Sequence, residues 1–390
     1  MYKFKRMFAY MKILLKMLVA EIAGIFARRR RFYRNLWIVS ERGIDARDNG
    51  FHFFKYLRTV HPEINAVYII SKDSPDRSKV SALGNTVEHG SFRHYLCYVL
   101  AMVKISTHID GYAPDILFFH KFRKIFPDKA KKIFLQHGII MNDIKFCHAD
   151  QADLDMFVCS ALPEFKYIDK TFGHKKGVLQ LTGLCRYDNL RKAGQPTRRL
   201  LFMPTWRVNL KNCSKRTFLS SDYFKKYESF LNSEKLAALL EDYDYELVFY
   251  PHFEVHRFLD CFHTDNPRVH IADFKSNDVQ QLLIQSDLLI TDYSSVLFDY
   301  GYMRKPIVCY QYDEAEFRAV QYKKGYFDYR RDGFGDVVKT EAEVIASIRH
   351  ILENDLRPDD VYLERMNAFY KFNDTSNCQR VYDAICRLLP

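Results

Sequence analysis

The strongest constraint on this chain is the order in which its apolar runs fall. From about residue 35, short apolar runs alternate with longer stretches whose apolar residues recur at helical spacing. LWIVS (36–40), INAVYII (64–70), KISTHI (104–109) and KKIFLQ (131–136) predict buried strands, and DNGFHFFKYLRTVHP and SFRHYLCYVLAMVK predict helices between them. The second half repeats this grammar in RRLLFMPTW, YELVFYPH, DLLITDYSS and KPIVCYQYD. Strand–helix alternation of this kind builds parallel sheets covered by helices, an α/β fold. Between the halves, RKAGQPTRR (191–199) is polar, charged and broken by Gly194 and Pro196, as a linker would be. Two such domains facing each other would open a ligand cleft at the carboxyl ends of their strands.

Composition removes other classes. At about 100–200 residues per domain, 390 residues make two or three domains. With 15 Gly, 12 Pro and 48% hydrophobic residues, the chain is neither collagenous nor disordered. The 59 Lys and Arg exceed the 48 Asp and Glu by 11, which points to an anionic partner: a membrane surface, a nucleic acid or a phosphorylated substrate. Among the nine cysteines the nearest two, Cys378 and Cys386, are eight residues apart, so no C-x-x-C pair for zinc, an iron–sulfur cluster or redox chemistry exists. They read as buried thiols of a reducing compartment.

Residues 1–31 are basic and apolar together. Lys12, Lys16 and Glu21 interrupt what would otherwise be a signal or membrane-spanning run. At about 100° per residue, Lys5, Lys12 and Lys16 fall within about 20° of one line, with Met, Phe, Leu and Ile elsewhere. This predicts an amphipathic helix lying on an anionic membrane surface, reinforced by Arg28–Arg31. The plainer alternative is a basic helix docked on the protein's own core.

Four stretches carry chemistry. In SDLLITDYSSVLFDY (286–300), a strand ends at Thr291, and Asp292, Ser294 and Ser295 open a helix whose free N–H groups can hold phosphate. Plain capping would use one of these side chains. In IFLQHGII (133–140), His137 emerges at a strand's carboxyl end, where a general base would stand, and Gly138 allows a tight turn. A structural histidine at a strand end is the plainer role. In LVFYPHFEVH (247–256), His252 can donate to phosphate. Its i, i+4 partner His256 has no third ligand at convincing spacing, which disfavours a metal. In FMPTWR (202–207), Arg207 can bind an anion, while Trp206 reads as core. Arg186 and Asp188 in GLCRYDNL (183–190) read as an ion pair at the domain junction.

The ordered set QHG (136–138), GLCRYD (183–188), PTWR (204–207), YPH (250–252), SDxxITDYSS (286–295) and KPI (305–307) resembles the CDP-glycerol glycerophosphotransferases, builders of teichoic-acid and related capsular polymers. The resemblance runs over roughly 35–385. It implies a GT-B-type fold of two Rossmann-like domains, an acceptor domain at 32–190 and a donor domain at 200–365, flanked by the surface segment 1–31 and a C-terminal helical segment, 366–390. It implies peripheral attachment to the cytoplasmic membrane face of a bacterium, a CDP-polyol donor, a glycan, polyol-phosphate or lipid-linked acceptor, and no cofactor, metal or nucleic acid. By match of motif, His137 corresponds to the catalytic base, His252 to a histidine at the donor phosphates, and Arg207, Thr291, Asp292, Ser294 and Ser295 to the donor site. Gln136 and Ile139-Ile140 depart from the family's Trp before the histidine and Thr-Pro after the glycine, which bears on the acceptor. The competing readings are a GT-B glycosyltransferase using a nucleotide sugar and a non-catalytic basic binding module.

Overall fold

The computed structural model describes residues 2–122, 125, 128–190, 197–273, 276–320 and 323–389, with residues 2–6 described by their backbone alone. The expected linker therefore lies largely outside the described residues. The chain divides into two compact units, the first holding Met1–His137, Lys145–Asp188 and Asp374–Pro390, the second Gly138–Ile144 and Asn189–Asn373.

The first unit is a parallel sheet of β1 (Trp37–Ser40), β2 (Ala66–Ile70), β3 (Thr86–Glu88), β4 (Val103–Ser106), β5 (Lys131–Phe134), β6 (Met156–Cys159) and β7 (Leu179–Leu181). Its strand order is β3-β2-β1-β4-β5-β6-β7. The second unit's sheet contains β8 (Arg199–Met203), β9 (Glu246–Phe249), β10 (Val269–Ile271), β11 (Leu288–Thr291), β12 (Ile307–Tyr310) and β13 (Gly335–Val338). Its order is β10-β9-β8-β11-β12-β13. The second is the 3-2-1-4-5-6 order of a Rossmann-like sheet and the first is the same order with a seventh strand added at its edge, so the expected α/β architecture of two such domains is what the chain adopts. The central strands are uninterrupted apolar runs because helices cover both of their faces: WIVS, AVYII and IVCY are buried throughout.

This order creates one switch point in each sheet, where successive connections leave in opposite directions. It lies between β1 and β4 in the first unit and between β8 and β11 in the second. The loops that follow those four strands are the natural ligand sites.

Helix Asn377–Cys386, within the expected C-terminal segment 366–390, belongs to the first unit. The Asp188 carboxylate accepts from the backbone N–H of Asn377 (2.8 Å) and Cys378 (2.9 Å) at that helix's start. Asp188 therefore does not pair with Arg186.

The N-terminal helix α1 (Tyr2–Ala27) divides its apolar residues between two faces. Met17, Ala20 and Ala27 are buried in the first unit's core with Tyr10 and Ile13 packed beside them. Gly24 faces Val99 and Leu100 of helix Phe92–Leu100. On the other side Phe8, Met11, Leu15, Leu18, Ile22 and Phe26 are exposed, Phe26 by 75%. Segment 1–31 falls within the first unit, with one face of the helix docked on the core and the other left exposed. No helix among the described residues is long and apolar enough to cross a membrane.

Candidate active site

At the first unit's switch point, the loop after β1 runs through Glu41 to Asp48 and opens α2 (Asn49–Val60). Glu41 is buried, and its carboxylate accepts from the backbone N–H of Arg47 (3.0 Å), Asp48 (2.8 Å) and Phe51 (3.0 Å). It thereby shapes the turn that presents Asp48. Burial, with Asp48 and Asp45 adding to it, pushes the Glu41 carboxyl up to about 7. The loop after β4 is tied to the same place, since Ser106 Oγ donates to the Glu41 carbonyl at 2.9 Å.

His137 stands where the sequence puts it, just beyond β5, with its side chain 73% exposed. Its Nδ1 donates to Asp48 Oδ2 at 2.6 Å. The other Asp48 oxygen accepts from Arg186 at 2.6 Å, and the same Arg186 nitrogen donates to the His137 carbonyl at 2.6 Å. Asn49 completes the clamp: its Nδ2 donates to the Gln136 carbonyl (2.9 Å) and its Oδ1 accepts from the Arg186 N–H (2.9 Å). Asp48 raises the His137 pKa, against a smaller opposing effect of desolvation. Burial works against the charge on Asp48, but Arg186 and His137 outweigh it and hold that carboxyl well below the usual range. The His108 ring lies 5.3 Å from that of His137, and burial holds its pKa down at about 4. An imidazole whose Nδ1–H is committed to a carboxylate offers its Nε2 lone pair outward, the arrangement of a general base.

The neighbours of His137 play parts other than those expected. The left-handed backbone falls at Gln136 (φ +62°), not at Gly138. The Gln136 side chain is fully buried and turned inward, with Nε2 donating to the Val158 carbonyl and, at 3.1 Å, to Glu164. It supports the loop from below. Arg186, expected in an ion pair with Asp188, instead belongs to the His137 cluster. Asp48, Asn49 and Glu41 were missed as site residues. The available signal was Glu41, Asp45 and Asp48 crowding one strand-to-helix turn, more acids than capping needs.

In the second unit, the motifs after β8, β9 and β11 gather at its switch point, but their side chains divide into two groups. Thr291 is buried and donates to the Met203 carbonyl (2.7 Å), tying β11 to β8. Asp292, 0% exposed, accepts from the N–H of Thr205 (2.8 Å), the Tyr227 hydroxyl (3.1 Å) and Arg207 (2.9 Å). Arg207, 5% exposed, also makes a two-pronged bond to Asp313 at 2.7 and 3.1 Å. Its guanidinium lies near the rings of Tyr223, Tyr293 and Phe317. The bonds that Arg207, Thr291 and Asp292 make within the second unit hold its loops together. The reason is electrostatic: a buried carboxylate needs a buried cation, and Arg207 is spent on Asp292 and Asp313.

Ser294, Ser295 and His252 form the second group. Both serines are half-buried at the start of helix Val296–Tyr302, and Ser294 Oγ accepts from the Val296 N–H at 3.3 Å. His252, half-buried after β9, accepts from the Glu254 N–H at 3.3 Å, and its ring lies parallel to Trp206 at 6.0 Å. Trp206 is thus a wall of this site as well as part of its core. His256 donates to the Pro251 carbonyl (3.0 Å). Among the described residues no three His, Cys, Asp or Glu side chains are grouped so as to hold a metal ion.

Several known proteins resemble this chain. GgaB of Bacillus subtilis (strain 168), a minor teichoic acid biosynthesis protein, is 32% identical over 98% of the chain and 43% of its own length. The teichoic acid poly(glycerol phosphate) polymerase of Staphylococcus epidermidis is 31% identical over 44% of the chain and 22% of its own length. The chain thus spans less than half the length of either relative. In three dimensions the wall teichoic acid polymerase TagF superposes over 99% of this chain and 97% of its own, with a TM-score of 0.71 at 18% identity. The UDP-GlcNAc 2-epimerase of Neisseria meningitidis bound to UDP-GlcNAc superposes over 90% of this chain and 99% of its own, with a TM-score of 0.53 at 9% identity. The profile of one family matches residues 25–387, so that both switch points fall inside it, and the chain belongs to the CDP-glycerol:poly(glycerophosphate) glycerophosphotransferase family.

Proposed function

We propose that the chain transfers a polyol phosphate, glycerol phosphate first among candidates, from a CDP-activated donor to a hydroxyl of a teichoic-acid-like acceptor. The observation that carries this reading is the exposed His137, held by Asp48 through Nδ1 so that Nε2 is left to act as a base, in a chain of this family. His137 takes the proton of the acceptor hydroxyl. The oxygen attacks the phosphorus bearing glycerol, the bond to CMP breaks, and a phosphodiester forms. Ser294, Ser295 and His252 bind the donor's diphosphate in the second unit, while Arg207, Asp292 and Thr291 shape the loops that carry them. Positioning and electrostatics supply most of the acceleration, as in phosphoryl transfer generally.

The exposed face of α1 seats the protein on the cytoplasmic surface of a bacterial membrane, where lipid-linked acceptors are held. The apolar face and the adjoining exposed Arg28–Arg31 cluster match an anionic interface in both its components. The test of the reaction is incubation of the purified chain with CDP-glycerol, CDP-ribitol and a short glycerol-phosphate acceptor, reading CMP. Acceptor-dependent CMP release, lost in His137→Ala with donor affinity retained, is the expected result. Turnover of UDP-sugars to UDP, with none of the CDP-polyols, would overturn it in favour of glycosyl transfer.

A further inference from the structure

His137 is exposed, yet its orientation is fixed by groups that are not. The side chains of Asp48 and Arg186 are 13% and 12% exposed, and each meets both the histidine and the other. Asp48 is itself fixed twice more, by the Asn49 N–H (2.7 Å) and by the Glu41 carboxylate holding its own N–H (2.8 Å). A surface histidine needs no such scaffold to remain folded. The arrangement resembles what a reacting imidazole needs, a carboxylate on one ring nitrogen so that the other is the base.

We propose that Asp48 is a positioning residue for the transfer reaction, fixing His137 as the Nδ1–H tautomer with Nε2 as the base, and that Arg186 keeps Asp48 ionised and aimed at it. The inference rests on His137 being the base. During transfer the acceptor proton moves to Nε2 and gives an imidazolium whose second N–H stays on Asp48. The proton then leaves from Nε2 to solvent, and Asp48 remains a carboxylate throughout. Arg186 enforces that last point, since its cation makes protonation of Asp48 costly. The charged and titratable groups facing the imidazole are Asp48, Arg186, Arg42 and His108. Of these Asp48 is the one anion, so its removal has a sign that can be read.

The test compares Asp48→Asn and Arg186→Gln in the full chain, following kcat against pH. Asparagine keeps the cap on α2 and an acceptor for Nδ1–H but removes the charge. The base acts when neutral, so activity rises as pH passes upward through its pKa. Asp48→Asn should move this rise to lower pH, because the adjacent carboxylate favours the imidazolium and its removal takes that away. It should also lower the plateau kcat at least tenfold with donor KM unchanged. Arg186→Gln should move the rise upward. A purely structural role would lower both plateaus without moving either profile in opposite directions, and that result overturns the proposal. Where a variant does not fold, nitrogen-15 spectra of His137 in the parent chain decide: the Nδ1–H tautomer supports the proposal and the Nε2–H tautomer overturns it. Loss of the proposal is distinguishable from loss of the function, because only the latter leaves the parent chain without acceptor-dependent CMP release from CDP-polyols.

Discussion

Replacing Arg207 by Met separates a loop-holding cation from a donor-binding one. The substitution removes the two-pronged bond to Asp313, the 2.9 Å bond to Asp292 and the packing against three rings, while keeping much of the side-chain volume. Asp292 is left fully buried with the Thr205 and Tyr293 N–H groups and the Tyr227 hydroxyl, but no cation. Breaking a buried pair in this way costs about 3–5 kcal/mol, and the remaining donors to Asp292 favour the lower end, about 3 kcal/mol. That is a large share of the roughly 5–15 kcal/mol that holds a domain together. For a unit of this size it lowers Tm by on the order of 10 °C. The chain has two tryptophans, Trp37 in β1 of the first unit and Trp206 in the second, so Trp37→Phe leaves one fluorescent reporter beside the perturbation. Urea unfolding followed through Trp206 should show the loss. Adding Asp292→Asn should recover part of it, because the stranded charge is then gone. If Arg207→Met unfolds within about 1 kcal/mol of the parent and loses only affinity for CDP-glycerol, the cation is a donor ligand and the argument from burial fails.

Three further outcomes follow from the site and its supports. His252→Ala and Ser294→Ala should each weaken CDP-glycerol binding by about 1–3 kcal/mol by calorimetry, with Tm unchanged; unaltered affinity in both would remove the diphosphate from this edge of the sheet. Leu15→Asn with Ile22→Asn, on the exposed face of α1, should release the protein from anionic vesicles in a flotation assay while thermal unfolding stays as in the parent. Deleting 1–31 is the poorer experiment, because it also strips Met17, Ala20 and Ala27 from the core; continued flotation of the double variant would place the membrane contact elsewhere. Gly183→Ala should cost on the order of 2 kcal/mol in urea unfolding, since its φ is +85° and a Cβ would lie 1.8 Å from Asn377 Oδ1. A neutral result there would mean that the C-terminal helix is not clamped at this turn.

What the sequence by itself determined is what local periodicity and motif order can encode. The alternation of WIVS, AVYII or IVCY with helical stretches dictates parallel sheets, because only a strand covered on both faces is apolar at every position. The ends of β5, β9 and β11 were legible too, since His137, His252 and Ser294 stand within a few residues after apolar runs. Short strands such as Thr86–Glu88 and Val269–Ile271 were not, because three residues carry no period. Tertiary structure alone decided which polar side chains face the site and which serve the fold. Thr291, Asp292 and Ser294 are near neighbours in the chain, yet the first two turn inward to Met203 and Arg207. Asp48 lies 89 residues before His137, and the acids crowding its own turn do not announce which residue it pairs with. It depends on the sheet order, which sets the loops after β1, β4 and β5 side by side. In the same way α1 reads in sequence as one helix with scattered apolar residues. Only its packing against Val99 and Leu100 divides them into a face committed to the core and a face left for another surface.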